Sequence, residues 1–138
     1  MDVVSFTLAE AGEHIYYLSN ANSLFGLKGT GKPKKLDSSV SAMAEIAGNL
    51  LYIKDAKAHG DEKIGTLCRL TGLNAGSETD IPFGAEFDKR WGQLIIYAYP
   101  AGENGEPLLE TAEGGSSRSA YVTPDGLEFT LVGEGAEG

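Results

Sequence analysis

The chain is poor in the residues that staple, ligate or catalyse. It has 138 residues and a single cysteine, Cys68, so no internal disulfide can form and stability must come from a packed core. Cys68 sits within Thr66-Leu67-Cys68-Arg69-Leu70, where it reads as a small strand residue. Only two histidines occur, His14 and His59, and the carboxylates are scattered, so no zinc ligand set and no Asp-x-Asp-x-Asp-Gly calcium loop is present. No metal and no cofactor are expected. Basic residues are also few: eleven Lys and Arg against twenty Asp and Glu give a net charge of −9, which disfavours nucleic acid and anionic membrane surfaces as partners. No apolar run approaches the length of a membrane span, and Met1-Asp2-Val3-Val4 lacks the basic start of an export signal, so a soluble chain without membrane insertion is expected. Gly-x-Ser-x-Gly, which would mark a nucleophile elbow, is missing.

What the chain does have is glycine, 19 residues of it, with 41% apolar residues arranged in short runs. That composition favours many turns and short strands. The segment 12–36 carries the pattern most clearly: a turn, His14 to Leu18, the Asn20-Ala21-Asn22 turn, Ser23 to Lys28, Gly29-Thr30-Gly31, then a basic strand from Lys32 to Leu36. Upstream, Val3 to Leu8 alternates as a strand and Ala9 to Glu13 reads as a turn. Lys28, Lys32, Lys34, Lys35 and Pro33 suit an exposed edge that must not pair with other chains. Although Gly26 to Pro33 approaches the phosphate-loop spacing, Pro33 replaces the magnesium-holding hydroxyl and no helix can start there.

Residues 37–47 fit two periods. Val40, Met43, Ala44 and Ala47 fall at helical spacing, while Val40, Ala42, Ala44 and Ile46 line one face of a strand. The repeats described next favour strand. Leu50 to Ile53 is apolar, Lys54 to Lys63 reads as a charged loop, and Gly65 to Thr71 is a further strand. Phe83, Ala85 and Phe87 alternate, Arg90 to Gln93 turn, and Leu94 to Tyr99 is apolar on both faces, which predicts burial on both sides. Pro100 to Pro107 is an acidic loop, after which Leu108 to Thr111 can pair back. Pro124-Asp125-Gly126 predicts a hairpin between Tyr121–Thr123 and Leu127–Val132.

Three segments align on a glycine ahead of an apolar, aromatic strand: Gly12-Glu-His-Ile-Tyr-Tyr17, Gly48-Asn-Leu-Leu-Tyr-Ile53 and Gly92-Gln-Leu-Ile-Ile-Tyr97. A fourth, Gly126-Leu-Glu-Phe129, fits with a one-residue slip. The glycines are 36, 44 and 34 residues apart, near the about 40 to 50 residues of a four-stranded propeller blade. His14-Ile-Tyr-Tyr-Leu18 followed by Ser23 to Leu36 resembles the blades of bacterial β-propeller repeat proteins of the Tol-associated and low-density-lipoprotein-receptor types. Tyr121-Val-Thr-Pro-Asp-Gly126 resembles the Ser-Pro-Asp-Gly turn of the former. The likeness covers about 25 residues well, and the usual Asp before the turn glycine is missing in the first unit.

The resulting expectation is an all-β chain of antiparallel β-meander repeats, propeller-like, as a partial propeller or as an open or sandwiched sheet. Residues 1–132 would form one domain of about three and a half repeat units, and 133–138 a disordered tail. The resemblance implies a habit of binding partners on one face and supplies no catalytic residues. The expected function is therefore a non-catalytic binding or scaffold module for a protein or carbohydrate, with self-association as a further route. A carbohydrate-active enzyme or subunit working through loop carboxylates is the alternative. Trp91, in a polar turn beside Lys89 and Arg90, and His59, in the Lys54–Lys63 segment, are the candidate contact residues. That segment and Pro100–Pro107 are where a partner would be met, because loops held by a rigid sheet carry binding.

Overall fold

A computed structural model describes residues 8–11, 14–19, 22–29, 31–59, 62–70, 72–73, 76–90, 92–103, 105–110 and 117–134. These residues form strands and turns, with no helix among them. In chain order the strands are β1 (Leu8–Ala11), β2 (His14–Leu18), β3 (Leu24–Lys28), β4 (Lys34–Asp37), β5 (Val40–Ile46), β6 (Asn49–His59), β7 (Glu62–Leu70), β8 (Ser77–Glu78), β9 (Phe83–Arg90), β10 (Gln93–Tyr99), β11 (Ser119–Thr123) and β12 (Thr130–Glu134). All pairings are antiparallel.

Consecutive strands pair in three successive meanders. The first sheet has the order β1-β2-β3-β4. The other eight strands form one sheet in which β12-β11-β10-β9-β7-β6-β5 run in order and β8 pairs β7 off that path; β7 and β9 pair only at Gly65↔Gly84, so the sheet divides naturally into β5-β6-β7-β8 and β9-β10-β11-β12. Each meander opens with a tight hairpin, closed at Ala11↔His14, Ile46↔Asn49 and Arg90↔Gln93. In the second of these Ala47 and Gly48 have φ of 50° and 84°, the left-handed pair that lets a two-residue turn follow the twist of its strands. Gly92 stands at the corresponding place in the third meander, with φ 73°. Gly126 does not correspond: it turns the chain from β11 into β12, the last hairpin of the third meander.

Alternation along β6 explains how the sheets stack. Leu50, Leu51, Tyr52 and Ile53 are all buried, although successive side chains in a strand point to opposite faces. Leu50 and Tyr52 join Tyr16, Leu18, Leu24 and Leu36 of the first sheet in one core. Leu51 and Ile53 join Leu94, Ile96 and Ala98 of the third sheet in another. The middle sheet is thus covered on both faces, one sheet on each side. Polar ties reinforce both interfaces: the Tyr16 hydroxyl donates to the Gly72 carbonyl at 2.8 Å, and Asn49 Nδ2 donates to the Asp125 carbonyl at 2.7 Å. Residues 40–46 are a strand, which settles the helix-or-strand ambiguity of that segment.

Four expectations are corrected. Lys54 to Lys63 is not a loop: β6 continues to His59 and β7 begins at Glu62, because ladder hydrogen bonds to a partner strand stabilise a segment that has no one-sided apolar pattern. Ala9 to Ala11 belong to β1, held by register with Tyr16, Ile15 and His14. Leu127 to Phe129 are not strand, because the Asp125 carboxylate accepts hydrogen bonds from the Leu127 and Glu128 amides at 2.8 and 3.1 Å and occupies groups a ladder would need. Along Leu94 to Tyr99 one face is buried at Leu94, Ile96 and Ala98, while on the other Ile95 and Tyr97 are only half-buried and Tyr99 is buried; the continuous run buried on both faces is in β6, from Leu50 to Ile53. The expected strand over 3–7 and most of the expected tail lie outside the described residues, while Gly133 and Glu134 close β12.

Candidate functional site

The outer half of β6 and the start of β7 form a mostly polar arm at the border of the core shared with the third sheet, against which Ala56 still packs. Its direction is set by one extra residue. Lys54 pairs with Thr66 and Lys57 with Ile64, so Asp55 and Ala56 stand opposite Gly65 alone. This is a β-bulge, the device that bends a strand and re-aims a side chain. Asp55 takes a left-handed backbone, φ 55°, which Asp tolerates better than most residues. Gly65 makes the bulge possible, because a Cβ there would run into the Lys54 carbonyl oxygen and lie 2.9 Å from Ala56 Cα. The Asp55 amide donates to the Ser39 carbonyl at 2.8 Å, and Ser39 is itself left-handed, φ 57°. Strained backbone of this kind concentrates where side chains must be held for a purpose.

An ion pair anchors the base of the arm. Lys54 Nζ lies 2.9 Å from Asp37 Oδ1, while the Tyr52 hydroxyl donates to Oδ2 at 2.8 Å and the Ser38 amide to Oδ1 at 2.8 Å. Burial pushes the Asp37 carboxyl up, but the hydrogen bonds from Lys54, Tyr52 and Ser38 outweigh it and hold the group below the usual carboxylate range. Burial, and then the Asp37 carboxylate, push the Tyr52 phenol up. Burial raises the Cys68 thiol to about 11, which keeps it protonated and unreactive at neutral pH, as its strand position suggested.

Grooves flank the arm on two sides. One, of about 210 Å³, is lined by Asp55, Lys57 and His59 from β6, Thr66 and Phe83 from the neighbouring strands, and the Gly105-Glu106-Pro107 segment. The other, of about 430 Å³ and more open, is lined by Asn22, Ser39, Ser41, Asp55, Lys57 and Lys63 among others. Asp55 and Lys57 belong to both, so the bulge stands between them. Residues 100–107 fold back as a compact turn: Ala101 bridges Pro107, Gly102 donates to the Glu106 carbonyl at 2.6 Å, and Leu108 donates to the Pro100 carbonyl at 2.8 Å. The Ser117 hydroxyl donates to the Leu108 carbonyl and its amide to that of Leu109, which ties the segment down. The two segments singled out in the sequence for contact, 54–63 and 100–107, therefore meet in one groove.

The four candidate contact residues do not come together. His59 lies in the groove beside the arm. Lys89 is near the other end of the stack, beside the β9–β10 turn, with Nζ 3.0 Å from the Glu45 carbonyl and 3.3 Å from Glu45 Oε1. Arg90 closes the same hairpin by pairing with Gln93, and Trp91 lies outside the described residues. Ten residue steps of β6 separate the two ends, about 30 Å at the rise of a strand. Sequence reading missed Asp55, Lys57, Thr66 and Phe83 as groove residues. Gly65 amid polar and β-branched residues was the one available signal of a bulge.

Among the described residues no group of three or more His, Cys, Asp or Glu is placed to hold a metal ion, and no helix is long and apolar enough to cross a membrane. No family model matches the chain, and comparison with curated proteins and with solved structures likewise found no match.

Proposed function

We propose that the chain is a non-catalytic binding module of propeller-like type, which meets a protein or carbohydrate partner in the grooves beside the β6–β7 arm. The observation that carries this reading is the Asp55 bulge: a left-handed residue, held by Gly65 and by the Ser39 carbonyl, sets Asp55, Lys57 and His59 against the 105–107 turn. Two ionisable signs, a hydroxyl at Thr66 and the ring of Phe83 give one groove the mixed polar and flat surface that suits sugar rings or a peptide backbone. In support of the propeller-like description, three four-stranded meanders follow one another and stack face to face, with β5 lying against both β1 and β9. This order agrees with the likeness of residues 14–36 to propeller blades.

A second reading has its own observation. Asp55 and Glu106 line the same groove, and a pair of carboxylates is the minimum equipment of a glycoside hydrolase. Titration of the isotope-labelled chain with panels of soluble oligosaccharides and peptides separates the two. The binding-module reading expects shifts confined to amides near residues 55–66, 83 and 105–107, with no product released. Shifts confined to the β9–β10 end would overturn the site, and product release lost in both Asp55→Asn and Glu106→Gln would establish the enzyme.

A further inference from the structure

Left-handed backbone is costly for a residue with a side chain, and glycine is the residue that takes it freely. Among the described residues four that are not glycine adopt it: Asn22 (φ 63°), Ser39 (φ 57°), Ala47 (φ 50°) and Asp55 (φ 55°). Ala47 sits in the β5–β6 hairpin turn. The other three come from separate parts of the chain and line the more open of the two grooves beside the arm. Backbone hydrogen bonds tie them to one another: the Val40 amide donates to the Asn22 carbonyl at 2.9 Å, and the Asp55 amide to the Ser39 carbonyl at 2.8 Å. Ser41 joins them through a second bulge, since Val40 pairs with Lys54 and Ala42 with Ile53, which makes Ser41 the extra residue. Asn and Asp tolerate left-handed backbone better than most residues, serine does not, and glycine would suit all three positions. Polar side chains kept where glycine is easier mark a surface held for a ligand.

The groove's lining defines the chemistry of that ligand. Asn22, Ser39, Ser41, Asp55, Lys57 and Lys63 are all exposed, and Ala56 is the one apolar residue among those described there. Lys57 and Lys63 make no ion pair with another described residue, so their N–H groups can donate to a ligand. Protein partners are anchored by aromatic and arginine side chains in desolvated pockets, and extended peptides by pockets for alternate side chains; the described lining offers neither. An anion would meet Asp55 in a chain of net charge −9, and a cation would meet two ammonium groups. A sugar hydroxyl carries no charge and uses both signs, because it accepts from an ammonium and donates to a carboxylate. Phe83 in the adjoining groove supplies a flat face on which a ring can stack, and Asp55 and Lys57 border both grooves.

We infer that the open groove is a second subsite for a neutral oligosaccharide, which crosses the Asp55 bulge with one ring against Phe83 and the next among Asn22, Ser39 and Ser41. The inference rests on the reading of the arm as a binding site, and it narrows the partner from protein or carbohydrate to an uncharged sugar chain of at least two rings.

Amide-shift titration of the isotope-labelled full chain tests this with maltotetraose, cellotetraose, mannotetraose and chitotetraose, their monosaccharides, tetragalacturonate as an acidic sugar and blocked tetra-alanine as a peptide. At least one neutral tetrasaccharide is expected to move amides at 22, 39–41 and 63 together with those at 66, 83 and 105–106, and to bind at least about tenfold more tightly than its monosaccharide. Asn22→Gly and Ser39→Gly remove the polar side chain from a backbone that glycine adopts without strain, so each is expected to bind that sugar about three- to tenfold more weakly while melting at the wild-type temperature or above it. A role confined to the fold would give the opposite pattern, with affinity unchanged or lost only together with thermal stability, and either result overturns the inference. Sugar-induced shifts at 66, 83 and 105–106 without any at 22 and 39–41, or tighter binding of tetragalacturonate or tetra-alanine, overturn it too and leave the arm as a binding site. Saturable binding by none of the probes overturns both.

Discussion

The two halves of β6 are one unbroken strand built on different physics. From Leu50 to Ile53 every side chain is buried, alternately in the core shared with the first sheet and the core shared with the third. From Lys54 to His59 the side chains are polar or small, only Ala56 still packs against a core, and the strand's course is set by the backbone: a bulge, one left-handed aspartate and the glycine opposite. Burial fixes the first half whatever the turn chemistry. The second half depends on a few local contacts and so is free to carry ligand-facing groups. A rigid middle sheet with a polar extension is how this chain separates holding its shape from presenting a surface.

That contrast can be broken at several points, and the largest effect is expected in the core. Leu51→Ala empties space between the second and third sheets and is expected to cost about 2–5 kcal/mol in urea unfolding. Ala58→Ser, in the arm, is expected to stay within about 0.5 kcal/mol of wild type. Equal losses at the two positions would mean the arm is as integral as the core. Gly65→Ala drives a methyl group into the Lys54 carbonyl and is expected to cost about 1–3 kcal/mol, with amide shifts centred on residues 54–57 as the bulge is displaced. Unchanged shifts there would show that the bulge does not need this glycine.

Asp37 lies where the two halves join, and Asp37→Asn is expected to cost about 1–2 kcal/mol at neutral pH, a modest figure because the Lys54 pair is partly solvated. Its carboxyl titrates lower in the folded chain than in the unfolded one, so the stability it adds is complete above the ordinary carboxylate pKa. That stability is lost as pH falls through the lowered native value, so the gap between wild type and variant should close on acidification. A gap that persists or widens in acid would contradict the assigned direction. One modest change is expected to be a gain: Ala47 is left-handed in a turn that favours glycine, so Ala47→Gly is expected to add about 0.5–1 kcal/mol.

Strand periodicity was legible in the sequence wherever a core imposed it. His14–Leu18, Leu24–Lys28 and Leu50–Ile53 could all be read from apolar alternation or runs, and even the Ala-rich 40–46 segment could be read correctly once the recurring glycine-led strands were weighed. Where no core was involved the reading failed. Lys54-Asp-Ala-Lys-Ala-His59 has the composition of a loop and becomes strand only because β7 pairs with it. Leu127-Glu-Phe129 has the composition of a strand and is withheld from one by the Asp125 carboxylate. The site was half legible: charge and glycine marked the two segments that meet in the groove, but nothing in the order of residues reveals that the hairpin carrying Lys89 and Arg90 turns at the far end of the stack from His59.

Amide hydrogen exchange along β6, read residue by residue under native conditions, tests the central claim most directly. If the middle sheet is covered on both faces and β6 leaves the cores after Ala56, amides from Leu50 to Ile53 will exchange only through global unfolding, while those from Lys57 to His59 will open at distinctly lower free energy. Uniform protection along the strand, or a Leu50–Ile53 run less protected than β2 and β10, would contradict it.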